Sequence, residues 1–489
     1  MLRFFENHYT EGVPHQIPGL CCGTPSVYEM ILEQPMTASL ESVNPESAWQ
    51  PFEPTQERPW DRRLAAHVFR RAAFGANWQQ LDAAVKQSPT AVAEQLVRGS
   101  ASSSEQGHSD ELARTVLATG DPNQLAAWWT YVLIHTHHPT LERMSLLWHG
   151  HFATGAEKVL DAVLMLEQNR LLRRHALGDW RPLVHEISRD PAMLIYLDSA
   201  TNRKAHPNEN FARELMELFC LGEGNYSEKD VQELARCFTG WEIKLGRFRF
   251  NRFQHDTGMK TILGKHGTFP EGESVDWILE QPHAARFVAG KLFRQFICDE
   301  PAPPESLIEP LAKELREQDW QIGRVLQRIL TSQLFYSGHA LGRKVRSPVD
   351  LAIGLLRSLD GSANTRQLAS DLQQNGQGLF FPPNVKGWDG GRTWINSSTI
   401  LGRANMMGRL LADDKTRFGG GKLDEYFANL GASKPEDVVD RACELLLAVP
   451  LSTPAREGLV DLCRKSPNTS RAYTEMIHAL ATLPEYQLG

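Results

Sequence analysis

Long apolar runs are missing from this chain. The longest, such as Leu445–Val449, fall far short of the roughly 20 residues that cross a bilayer, so no membrane span is expected. There is no excess of basic charge either. With a net charge of −7 there is no electrostatic case for nucleic acid as a partner. Met1–Pro35 holds no basic segment followed by an apolar stretch of the signal-peptide kind, which predicts a cytoplasmic protein. Cysteine is sparse: seven residues, no CxxC, and an adjacent pair, Cys21–Cys22, whose spacing suits neither a metal nor a redox motif. The odd count favours free thiols and a reducing compartment. Alternation of strand and helix is also absent, which argues against a parallel sheet.

What remains is ordinary globular composition, 41% hydrophobic and 23% charged, in 489 residues. That length predicts more than one subdomain. Residues 1–59 read as an irregular N-terminal arm rich in proline. Residues 60–300 read as the main helical domain with a β-hairpin, 301–418 as a second helical part with a Gly/Trp loop, and 422–489 as a C-terminal helical bundle. The fold class is mainly α, a multi-helix bundle with one small β-hairpin element near 241–263. There Phe248 and Phe250 alternate with Arg247, Arg249 and Asn251. Leu64, Val68 and Ala72 repeat at helical spacing, and Gly75 is expected to end that helix. A further helix is expected at 157–177.

The most polar stretch beside a clear apolar face is Asn202–Glu217, NRKAHPNENFARELME. Asn202, Lys204 and His206 precede a helix expected at 209–221 and capped by Asn208. At 100° per residue, Phe211, Leu215, Leu218 and Phe219 fall on one buried arc. Glu209, Arg213 and Glu217 form a stripe beside it, and Glu214 stands in the next row. Exposed i,i+4 ion pairs are the plain alternative, worth a few tenths of a kcal/mol each.

Three other stretches carry chemistry. Trp148-His149-Gly150-His151-Phe152 holds an HxH that chelates on a strand, whereas helical spacing sets the rings about 200° apart. His255-Asp256-Thr257-Gly258 lies on a loop after the hairpin. A single DTG on a helical scaffold is not an aspartic protease, which needs two, but His255 and Asp256 suit a metal or an acid/base pair. Lys260 could hold an anion, although Gly258-x-Lys260-Thr261 lacks the glycine of a P-loop. Asn384, Trp388, Trp394 and Asn396 sit in a glycine-rich loop, where tryptophans offer stacking faces to a sugar or peptide.

FRRAAFG (69–75), ERMSLLWHGHFAT (142–154), DPAMLIYLD (190–198), NENFARELMELFCLGEGNY (208–226), CFTGW (237–241), HDTGMKTILG (255–264), KVRSPVD (344–350) and PNVKGWDGGRTWINSSTI (383–400) occur in that order. Together they resemble a large bacterial family known only as domain of unknown function number eighteen hundred, over about residues 60–489. The resemblance implies a mostly helical fold and members that are typically exported. It also implies a gene-neighbourhood partner similar to sulfatases and alkaline phosphatases, and it brings no activity. Two functions are therefore expected to compete. One is a hydrolase acting on a glycan, peptide or anionic ester. It would use Glu209, Glu214, His255 and Asp256 as catalytic groups, or a divalent metal ion held by His149, His151, Glu214 and His255. The binding groups would be Asn202, Lys204, Asn208, Arg213, Glu217, Lys260, Asn384, Trp388, Trp394 and Asn396. The other is a non-catalytic glycan- or protein-binding module.

Overall fold

Capping side chains set where the helices begin. In the computed structural model, Asp61 accepts a hydrogen bond from the Leu64 amide and opens α1, Arg62–Ala73. The structure describes residues 39–100, 103–270, 272–465 and 468–489. Residues 1–38, which include the start of the arm, the Met1–Pro35 segment and Cys21–Cys22, lie outside the described residues. Helix α1 ends at Phe74, whose φ is 68°, and Gly75 is not the left-handed residue that its position suggests. Gly75 is required for space: a Cβ there would lie 2.5 Å from Ser358 Oγ and 2.9 Å from the Gly354 carbonyl.

Helices α2, Pro122–His135, and α3, Pro139–His151, follow, each with proline in its first turn. The helix expected at 157–177 is broken. A short turn, Ala156–Val159, ends at Leu160 with φ 56°, and Asp161 then caps α4, Ala162–His175. The central helix also departs from expectation. An α segment, α5, spans Asn210–Glu214, and the chain then continues as a π turn, Leu215–Cys220. A 100° wheel fails past Glu214, because i→i+5 bonding widens the turn. Met216 and Cys220 are thereby buried beside Leu215 and Phe219, while Leu218 is only partly buried.

Helix α6, Glu228–Cys237, opens on a Ser227/Asp230 capping box. Strands β1, Trp241–Lys244, and β2, Arg247–Phe250, pair antiparallel through Leu245 and Gly246, both at positive φ, which suits a tight hairpin. A separate hairpin pairs β3, Lys260–Ile262, with β4, Lys265–Gly267. Helices α7, Pro282–Phe296, and α8, Pro348–Ser358, precede a two-residue ladder of β5, Gly361–Ser362, and β6, Arg417–Phe418. Asn396 caps α9, Ser397–Ala412. Four more helices lie between Leu423 and Thr482. The fold is mainly α with small antiparallel hairpins.

One large apolar cluster runs from Leu40 to Tyr486 and holds the buried rings of Trp129, Trp148, Phe152, Trp180 and Phe219. Each fully buried side chain of this size contributes about 1.5–3 kcal/mol. A second, small cluster gathers Val345, Trp394, Ile395 and Leu488. Among the described residues no helix is long and apolar enough to cross a membrane. Cys220, Cys237, Cys298, Cys443 and Cys463 are free thiols.

Candidate functional site

The last turn of α3 meets the Gly/Trp loop backbone to backbone, and a cleft forms where they join. Its volume is about 160 Å³. Gly150 and His151 of α3 form one wall, and Lys386, Trp388 and Trp394 of the loop form another. Lys291 and Arg294 of α7 and Lys344 ahead of α8 complete it.

Charge in this cleft is unbalanced. Arg143 is ion-paired with Asp350, and Lys344 with Asp299 at 2.6 Å. Lys291, Arg294 and Lys386 then face a single further carboxylate, Asp389. Among the described residues Lys291 has no carboxylate partner; its ammonium lies 5.2 Å from the centre of the Phe287 ring. Burial, with the neighbouring Arg294 charge, lowers its pKa to about 8.

The cleft also offers neutral groups. His151 Nε2 donates to the Phe219 carbonyl at 3.0 Å, which leaves Nδ1 as an acceptor with no partner. Burial first, and the Lys291 charge second, hold this imidazole neutral. The indole Nε1 of Trp388 is likewise buried and unpartnered. One acceptor, one donor and three cations set against a single carboxylate therefore line one space. Asn384 shapes it from outside: its side chain accepts from the Lys386 amide at 2.8 Å, forming the turn that carries Lys386.

His149 faces the other side of α3. Its Nε2 accepts from the Phe380 amide at 3.2 Å, and its ring packs among Trp129, Phe380 and Trp388. Burial lowers its pKa to about 4. Among the described residues no group of three or more His, Cys, Asp or Glu is placed to hold a metal ion. The set His149, His151, Glu214 and His255 is therefore not assembled as a metal centre.

Glu214 adjoins the cleft through the field of Lys386. Among the described residues it has no hydrogen-bond partner, and burial followed by repulsion from Glu217 raises its pKa. The rest of its helix is paired locally. Glu217 accepts from Tyr226 Oη at 2.8 Å, and Arg213 bonds Glu209 at 3.2 Å and both oxygens of Glu228 at 2.8 Å. Asn202 is buried; its side-chain amide donates to the Ala235 carbonyl, and its oxygen accepts from the Asn208 amide. Asn208 in turn accepts from the Asn210 amide. Lys204 is exposed, and Asn396 is occupied as a helix cap.

The His255–Lys260 loop forms a different assembly, locked onto α6. Asp256 accepts from Arg236 Nε at 2.7 Å and from the Gly258 amide at 2.8 Å. The Arg236 bond is the main reason its pKa falls to about 2. Lys260 is buried and donates to the carbonyls of Asp256, Gly258 and Thr268. His255 Nδ1 donates to the Thr239 carbonyl at 2.9 Å. These bonds hold β3 and its loop against α6.

A larger groove, about 760 Å³, lies near His135 and Arg357. Asn77, Gln80, Gln87 and Gln95 line it with Arg98 and Asp360, and Arg357 Nη1 donates to the carbonyls of Leu133, Ile134 and Thr136. Nothing there matches the cation surplus of the smaller cleft. Lys291 and Arg294 escaped the sequence reading because α7 reads as a core helix. The one signal is a lysine at i+4 from Phe287 beside buried Val288 and Leu292.

The elements that build the cleft carry the WHGH, KVRSPVD and NVKGWDGGRTW stretches. No curated protein and no solved structure matches the chain. A family model described as protein of unknown function (DUF1800) matches residues 67–488, and the chain belongs to that family.

Proposed function

We propose that the cleft between α3, α7 and the Gly/Trp loop binds an anionic ligand: a small molecule or glycan bearing sulfate, phosphate or carboxylate. The observation that carries this reading is Lys291, an ammonium held in the cleft without a carboxylate partner among the described residues. Burying a charge costs several kcal/mol unless a counter-charge compensates it, so such a site is built for a visitor that supplies one. Arg294 and Lys386 add charge, Trp388 adds an aromatic face, and His151 Nδ1 accepts from a ligand hydroxyl. A sulfatase- or phosphatase-like partner, as family resemblance implies, would act on the same class of ester. Calorimetric titration tests the proposal with inorganic sulfate, inorganic phosphate, glucose 6-sulfate and glucose. Binding of the anions and not of glucose, lost in Lys291→Met, is expected. Equal behaviour of wild type and Lys291→Met would reject it.

A second reading, carboxylate-based ester or glycoside hydrolysis, rests on Glu214. Its carboxyl is half-buried, without a hydrogen-bond partner among the described residues and raised in pKa, as a general acid requires. Turnover of nitrophenyl sulfate, phosphate or glycoside that vanishes in Glu214→Gln would favour this reading over simple binding.

A further inference from the structure

Beside the cleft lies a group of buried arginines, one of which, Arg143, also lines the cleft. Arg70 is 5% exposed, and none of its three guanidinium nitrogens has a hydrogen-bond partner among the described residues. Arg71 gives Nη2 to the carbonyl oxygens of Ile297, Ala340 and Gly489, but its Nε and Nη1 are unpartnered. Arg143 packs over the Phe74 ring at 3.8 Å, with Nε unpartnered. Arg346 packs over Tyr486 at 4.4 Å. These four arginines and Lys344 line a void of about 20 Å³.

Asp350 is the one acidic side chain in that lining, and it is already used. It takes Arg143 on one oxygen and the Ser347 amide and hydroxyl on the other. With Lys344 offset by Asp299, four guanidinium groups face the one carboxylate side chain of the lining. A lysine in such a place escapes by losing its proton, but arginine does not. Size and polarity restrict what can enter. A site needs about 10–15 Å³ to hold one water-sized particle, and a space of about 20 Å³ matches a single atom better than a tetrahedral oxyanion. Water would fit, but it carries two protons of its own into a lining made mainly of donors, and it offsets no charge.

We infer that this void is a halide site, occupied by one chloride ion held by the guanidinium groups of Arg70, Arg71, Arg143 and Arg346. The ion fixes α1, α3 and the start of α8 against one another. It thereby sets the position of Lys344 and Arg143 at the floor of the cleft. The inference does not depend on what the cleft binds.

Thermal unfolding at constant ionic strength, with sodium gluconate exchanged stepwise for sodium chloride, should show a Tm that rises and saturates. Arg70→Met should lose that rise, and in gluconate it should melt above the wild type because an uncompensated charge is gone. Lys291→Met should keep the rise in full, which separates this site from the cleft. Crystals of the wild type soaked in bromide should show one anomalous peak among the four guanidiniums. That measurement decides the matter even where Arg70→Met does not fold. A Tm indifferent to chloride, an Arg70→Met response equal to wild type, or no bromide peak at this position overturns the inference.

Discussion

A Cβ placed on Gly387 would lie 1.9 Å from the carbonyl oxygen of Gly150. The last turn of α3 and the Gly/Trp loop thus touch through two glycines, and the loop residue also has φ 76°. This contact sets the gap between His151 and Trp388, both of which line the cleft. Gly387→Ala meets the clash and the unfavourable backbone together and should destabilise by more than about 1 kcal/mol. Gly150→Ala meets only the edge of the Trp388 ring at 3.2 Å and should cost less. Urea unfolding of the two variants checks the order.

The pKa of about 8 at Lys291 makes the anion site pH-dependent. Binding needs the ammonium, so affinity should fall as pH rises through 8, before Arg294 is affected. Stability of the free protein moves the other way. The folded pKa lies below the ordinary 10.5, so the unfolded chain binds more protons between 8 and 10.5, and stability rises across that window. Lys291→Met should therefore stabilise the free protein at pH 7 while abolishing anion binding. Calorimetry and denaturant melts at pH 6.5 and 9 read both effects.

Asp256 gives a second pH dependence of the same sign, on the acid side. Its carboxylate is held to about 2 by Arg236 and the Gly258 amide. The stabilisation is present above the ordinary value near 3.8 and is lost as pH falls toward 2. Its size is on the order of 2 kcal/mol at neutral pH. Asp256→Asn should lower the neutral-pH melting point and flatten its dependence on pH below 4, and anion binding in the cleft, which Asp256 does not line, should be unchanged.

How much of this was legible in the sequence depends on whether the cause is local. The helical class and the first hairpin follow from side-chain periodicity, as Phe248 and Phe250 show by alternating along β2. Caps such as Asn77, Ser227 and Asn396 are local signals, and they do open helices. The π turn at Leu215–Cys220 has no periodic signature of its own, so Met216 and Cys220 were not legible as core. The cleft was legible in parts: Trp388, Trp394 and His151 stand out by type and surroundings. Lys291 did not, because its unpaired state depends on which acids α8 and the loop bring near it. The meeting of Arg143 with Asp350 spans 207 positions, and no local pattern announces it.

Glu214 and Leu215 are neighbours with opposite environments, and together they test whether the central helix is a strut or part of the site. Leu215 is 0% exposed in the main core, so Leu215→Ala should cost about 2–5 kcal/mol through lost contacts and a residual cavity. Glu214 is half-buried, has no hydrogen-bond partner among the described residues and has a pKa raised by burial and by Glu217. Folding therefore disfavours its ionised form. Glu214→Gln removes that penalty and opens no cavity, so it should leave stability at pH 7 equal to wild type or slightly above it. Its effect on ligand should be electrostatic, because Lys386 loses a neighbouring negative charge. Anions should bind Glu214→Gln more tightly than wild type, and the gain should shrink with added salt. If instead Glu214→Gln unfolds the protein as readily as Leu215→Ala, the carboxylate belongs to a structural network and the helix is a strut.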